Sequence, residues 1–181
     1  MPALPLVYAP NPIFKKKALV VPFIDEDIKR TANDMLETLY HERGVGMAAT
    51  MVGVLKRIIV IDLQEEGRKT PIVCVNPEVL AVSKDVQTND EASLCFPHIS
   101  AEIVRPEKIE LRYMNLESQV QTLEATGWLA AIILHEMEYL DGKIYLDNLS
   151  KVKRDRLLKK MIKLQKQGQD CGDPHCGHDH H

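Results

Sequence analysis

The chain has 181 residues, of which 45% are hydrophobic and 27% charged, with a formal net charge of −3. That length supports one well-buried core and does not require two domains. The charge gives no global reason to expect DNA, and no apolar run approaches the roughly 20 residues of a membrane span, so neither DNA nor membrane is an expected partner and the cytoplasm is the expected compartment.

Residues 1–23 read as an irregular entry rich in proline (Pro2, Pro5, Pro10, Pro12, Pro22), with a basic patch at residues 15–17. Asp25, Glu26 and Asp27 then place negative charge where a helix N-terminus favours it. Ile28, Ala32, Met35, Leu36 and Leu39 follow at helical spacing, which predicts an amphipathic helix ending near His41. The small-residue run at 44–51 lets backbone approach a ligand closely. It is not a dinucleotide fingerprint, because it follows a helix and lacks the third glycine. Residues 57–62 and 72–75 are β-branched and predict strands, the second closed by Asn76 and Pro77. Residues 108–113 alternate, with Ile109, Leu111 and Tyr113 on one face, and 119–124 pair with them across the turn at 115–118. Residues 143–146 read as a short strand, and Ser150 as the cap of a last helix.

Residues 124–142, EATGWLAAIILHEMEYLDG, organise the rest. Apolar side chains fall on nearly every side of the helix they predict, as in a helix inside a core. Strands followed by one buried helix indicate an α+β domain with mainly antiparallel sheet. The helix ends in H-E-x-x-Y, with His135 and Tyr139 on one face and Glu136 about 100° round. A metallohydrolase would carry H-E-x-x-H, in which two imidazoles hold the metal and the glutamate moves protons. The alternative is a buried histidine with Glu136 as its hydrogen-bond partner. Of the cysteines, Cys74 and Cys95 are scattered and Cys171 and Cys176 form a close pair, unlike a secreted disulfide framework.

GVGMAAT, EASLCFP, VRPEKIELRY and HEMEYLDG, in that order, resemble the peptide deformylases, whose signatures are GxGxAAxQ, EGCLS and HExxH. The resemblance runs from about Pro5 to Gln167, giving a deformylase-like domain at 1–167 and a flexible tail at 168–181. It implies removal of the formyl group from the N-terminal methionine of nascent chains. It also implies a divalent metal, iron, zinc or nickel, held by the cysteine and both histidines.

Three positions depart from that pattern. Ser93 stands where the ligand cysteine belongs, Tyr139 where the second histidine belongs, and Met51, which cannot donate a hydrogen bond, where a glutamine would help hold the oxyanion. His135 and Glu136 match, and the backbone N–H of Leu94 is the other implied oxyanion donor. One lost oxyanion donor costs about 10²–10³ in rate. Without bound zinc the pKa of the attacking water returns from about 7 to about 15.7, and general-base help of about 10²–10⁴ cannot restore that. Cys95, two residues along a strand from Ser93, would sit roughly 6.6 Å from the ligand position. The expectation is a deformylase-like protein in which hydrolysis is lost or strongly reduced and binding remains. The competing reading is an active enzyme with an atypical site of Ser93, His135 and Tyr139.

The resemblance also makes Val45, Gly46, Ala131 and Ile132 the wall of a pocket for a methionine-like side chain, although ordinary core packing would use the same residues. The last helix carries eight basic residues between Lys151 and Lys166, opposed only by Asp155. That is either a solvated face or, as bacterial deformylases with a C-terminal helix imply, a docking surface for the ribosome. In the tail, Cys171, His175, Cys176, His178, His180 and His181 gather soft and imidazole donors suited to zinc, nickel or copper.

Overall fold

The computed structural model describes residues 3–170. Helix α1 spans Glu26–His41, and Asp25 caps it by accepting the Ile28 N–H at 2.9 Å. Its apolar face (Ile28, Ala32, Met35, Leu39) is buried, as the spacing predicts. Strands β1 (Gly46–Ala48), β2 (Ile58–Ile61), β3 (Ile72–Val82), β6 (Lys108–Met114) and β7 (Val120–Thr126) form one antiparallel sheet in the order β1-β2-β3-β6-β7. Strands β4 (Val86–Ser93) and β5 (Phe96–Pro106) form a separate hairpin. Helix α2 (Gly127–Leu140) packs against β1 and β2 of the sheet and β4 and β5 of the hairpin, and α3 (Lys151–Asp170) lies on β5. The architecture is α+β, mainly antiparallel around a buried helix, as expected.

Three sequence expectations are corrected, and one hairpin that the sequence does not indicate is added. Strand β3 does not end at Val75. Asn76 takes a positive φ of 51° within a bulge, its side chain makes two hydrogen bonds to the backbone of Val21, and the strand runs on to Val82. The long β4–β5 hairpin was not anticipated, because Val86–Ser93 reads VQTNDEAS, a polar composition with weak strand propensity. The central helix begins at Gly127, not Glu124, since β7 keeps residues through Thr126 paired with β6. Residues 143–146 are not a strand. Asp147 Oδ2 accepts the Ile144 N–H at 2.9 Å and Asn148 Nδ2 donates to the Tyr145 carbonyl, closing a short 3₁₀ turn at Tyr145–Asn148.

The C-terminal end of α2 is held by Arg57, which donates to the Leu140 carbonyl at 3.0 Å and pairs with Asp141 at 3.1 Å. Ser150 caps α3 through the Lys153 N–H, as expected. Among the described residues no helix is long and apolar enough to cross a membrane. The tail residues Cys171, His175, Cys176, His178, His180 and His181 lie outside the described residues.

Candidate functional site

The end of α2 meets the tip of the β4–β5 hairpin. Glu91 and Ser93 are two apart on β4, so both side chains turn toward α2, while Ala92 between them is exposed. From α2, His135 and Tyr139 project together, one turn apart, their ring centroids 5.7 Å apart. Ser93 pairs with Phe96 across the hairpin, and Leu94 and Cys95 form the turn. Cys95 is therefore not on a continuing strand. It is buried in the core, its thiol faces the Met51 carbonyl at 3.9 Å, and burial followed by the nearby Glu136 charge pushes its pKa well up.

Below these residues lies a buried ionic network. Arg105 of β5 grips Glu91 with Nε and Nη2, at 2.6 and 2.8 Å, and gives Nη1 to Glu138 at 2.6 Å. Glu91 Oε1 also receives His135 Nδ1 at 2.7 Å. Burial alone would raise the Glu91 carboxyl, but the hydrogen bonds from His135 and Arg105, with the Arg105 charge, hold it below the ordinary carboxylate value. An ionised carboxylate only accepts, so His135 carries its proton on Nδ1 and presents Nε2 elsewhere. Tyr145 stacks on that imidazole, with centroids 5.1 Å apart. The partner of His135 is thus Glu91 and not Glu136, because the α-helix aims residues 135 and 136 in different directions.

Glu136 is buried, and among the described residues its Oε2 has no hydrogen-bond partner. Burial pushes its pKa up to about 7, with the Glu91 charge adding to the rise and the His135 charge opposing it. Gly46 makes the close packing here possible. A Cβ at residue 46 would meet Ile132 Cγ2 at 2.6 Å and Glu136 Cγ and Oε1 at 3.1 Å. Met51 is buried, and its Sδ accepts the Ala48 N–H at 3.3 Å, a role internal to the fold.

Ser93 Oγ and Tyr139 Oη are 2.5 Å apart. Tyr139 is fully buried, and burial, then the Cys95 and Glu136 charges, raise its pKa well above the ordinary phenol value. A divalent ion held at positions 93, 135 and 139 needs thiolate, imidazole or another anionic donor at most of them. Here it would meet one imidazole and two neutral hydroxyls that are hydrogen-bonded to each other. Among the described residues no three His, Cys, Asp or Glu side chains are grouped to hold a metal. The donor set does not fit the implied ion.

The pocket above has a volume of about 110 Å³ and is lined by Val45, Gly46, Ala131 and Ile132 together with Met51, Ser93, Leu94, His135 and Glu136. The sequence thus indicated most of its lining. It did not indicate Arg105, Glu138 or Tyr145, which lie beneath the site, or Trp128 at the rim, which is 44% exposed on a helix read as wholly buried. Arg105 carries the one available signal, a cation in the otherwise β-branched run at 103–104.

The family model for polypeptide deformylase matches residues 3–155. A peptide deformylase-like protein of Rickettsia conorii is 49% identical over 162 residues, covering 90% of this chain and 88% of that one. The peptide deformylase of Agrobacterium fabrum is 40% identical over 160 residues, covering 88% and 94%. The crystal structure of peptide deformylase from Ehrlichia chaffeensis in complex with actinonin superposes with a TM-score of 0.86 at 32% identity, covering 91% of this chain and 98% of that chain.

Proposed function

The chain belongs to the polypeptide deformylase family, and from that membership we propose that it binds the N-terminal segment of nascent polypeptides in the 110 Å³ pocket while deformylation is lost or strongly reduced. The observation that carries this reading is the hydrogen bond between Ser93 and Tyr139. It fills, with two neutral hydroxyls, the positions from which the family's motifs would hold a metal, and Met51 removes one oxyanion donor besides. The pocket supports the binding half. Its volume of about 110 Å³ and the apolar wall of Val45, Ala131 and Ile132 support the binding of a single apolar side chain. Relatives named as a peptide deformylase-like protein and as peptide deformylase 1 both come from Rickettsia conorii, at 49% and 39% identity. This chain stands nearer the former.

The decisive experiment measures formyl-Met-Ala-Ser hydrolysis with iron, nickel, cobalt or zinc added, beside calorimetric binding of the same peptide. Binding without turnover is the expected result. Turnover that Glu136→Ala abolishes would instead establish an active enzyme with an atypical site. The triple change Met51→Gln, Ser93→Cys and Tyr139→His should bring metal-dependent turnover.

Two further roles belong to the same proposal. On α3, Lys151, Lys153, Arg156, Lys159, Lys160, Lys163 and Lys166 are all exposed, which supports docking to ribosomal RNA. Cosedimentation with ribosomes that survives deletion of everything after Ser150 would exclude it. The Cys/His-rich tail at 171–181 is proposed to capture a metal, so metal stoichiometry should fall when the tail is removed.

A further inference from the structure

Among the described residues, Glu91 and Glu138 have a donor on each carboxyl oxygen and Glu136 does not. Arg105 spends Nε and Nη2 on Glu91 and Nη1 on Glu138, and His135 spends its Nδ1–H on Glu91. Glu136, 4% exposed and lining the same pocket, keeps an oxygen with no donor. A buried carboxyl oxygen without a donor is costly, and a ligand that supplies one removes that cost. Arg105 gives its hydrogen bonds to Glu91 and Glu138, so among the described residues none of them reaches Glu136. The hydroxyls of Ser93 and Tyr139 supply no positive charge.

Resting on the peptide-binding reading above, we propose that the pocket selects a free α-ammonium group on an apolar first residue, in preference to a formylated one. An ammonium brings a positive charge and three N–H donors to Glu136 and would hold its carboxyl in the ionised form. A formamide brings one N–H and a carbonyl oxygen. That oxygen is an acceptor like the carboxylate it would face, and the thioether of Met51 has no donor to offer it. The apolar wall of Val45, Ala131 and Ile132 would take the first side chain in either case, so the discrimination resides at Glu136. The chain would then bind peptides after a separate formyl-amide hydrolase has acted on them.

The test is calorimetric titration at neutral pH with three peptides: Met-Ala-Ser, formyl-Met-Ala-Ser, and 4-(methylthio)butanoyl-Ala-Ser, which keeps the side chain and lacks the amine. Met-Ala-Ser should bind about 10- to 100-fold more tightly than either of the others. Glu136→Gln should abolish that difference. Should the variant fail to fold, the peptide lacking the amine makes the same comparison on the unaltered protein. Formyl-Met-Ala-Ser binding as tightly as Met-Ala-Ser would overturn the selectivity and leave peptide binding standing. No binding of any of the three at millimolar peptide would overturn both.

Discussion

Ser93 Oγ and Tyr139 Oη, 46 residues apart in sequence, meet at 2.5 Å and tie the tip of the β4–β5 hairpin to the last turn of α2. In the family's pattern those two positions would be bridged by an ion; here they are bridged directly. The cross-link is neutral, needs no exogenous component and lies inside an aromatic cluster in which Tyr139 sits 5.6 Å from Phe14 and 6.4 Å from Phe96.

The first prediction concerns asymmetry in that pair. Tyr139 is fully buried and Ser93 only half-buried, so removing the serine hydroxyl strands the phenol in the core, whereas removing the phenol leaves a hydroxyl that water can reach. Ser93→Ala should cost about 1–3 kcal/mol and Tyr139→Phe about 1 kcal/mol or less. The double variant should cost less than the two together. Denaturant unfolding of all three measures this, and a larger loss for Tyr139→Phe would contradict the assignment. A chelator should leave the melting temperature of a chain truncated before residue 171 unchanged.

Arg105 carries the largest single electrostatic burden. Replacing it with leucine leaves Glu91 buried without its bidentate partner and frees Glu138, at a cost of about 3–5 kcal/mol. Arg105→Lys should recover only part, because an ammonium cannot reproduce the two parallel bonds to Glu91. Equilibrium unfolding decides between this and a merely local role. Full recovery by lysine would mean that charge alone matters.

Stability should respond to pH through Glu136. Its folded pKa is raised from 4.5 to about 7, so the native state holds a proton that the unfolded chain gives up earlier. The contribution is fully present below about 4.5 and is lost as pH rises to about 7, a change on the order of 3 kcal/mol. Glu91 has the opposite sign. Its lowered pKa gives stability that is present above the ordinary glutamate value and lost as acid titrates it. Unfolding followed from mildly acidic to neutral pH should therefore show a decline that Glu136→Gln flattens. An identical decline in that variant would remove Glu136 as its source.

Gly46 sets how closely β1 approaches α2. An alanine there would put Cβ 2.6 Å from Ile132 Cγ2, a contact that must be relieved by moving Ile132 or the strand. Gly46→Ala should destabilise by about 1–3 kcal/mol and also weaken peptide binding, since Ile132 and Gly46 both line the pocket. Melting curves and titration on the same variant test the two effects together. Weakened stability with unchanged binding would separate the strand from the pocket.

The elements legible in the sequence were those whose burial follows a simple period. The face of α1 and the alternation of β6 are one-sided, and α2 is apolar nearly all round, so each could be read from its own residues. Strand β4 could not. Its residues are polar and mostly exposed or half-buried, and it is a strand because β5 pairs with it from Val86 to Ser93. The turn at Tyr145–Asn148 is not legible in the sequence, because two side chains, Asp147 and Asn148, close it where Ile144 and Tyr145 favour extension. At the site, His135, Glu136, Ser93, Tyr139 and the pocket wall were placed by motif order. The partner of His135 was not.

The sequence by itself determined which chemical groups are available: an imidazole and a glutamate one residue apart, and neutral hydroxyls where the family's pattern has a thiolate and a second imidazole. Covalent identity fixes a donor's element and softness whatever the fold does, and the fold then sets its protonation. The tertiary structure alone decided how those groups spend their bonding capacity. Glu91 lies 44 positions before His135 and Arg105 14 positions after Glu91, separations that no local period relates. Their meeting depends on hairpin register and helix docking, and so does the consequence that Glu136 is left with an oxygen to offer.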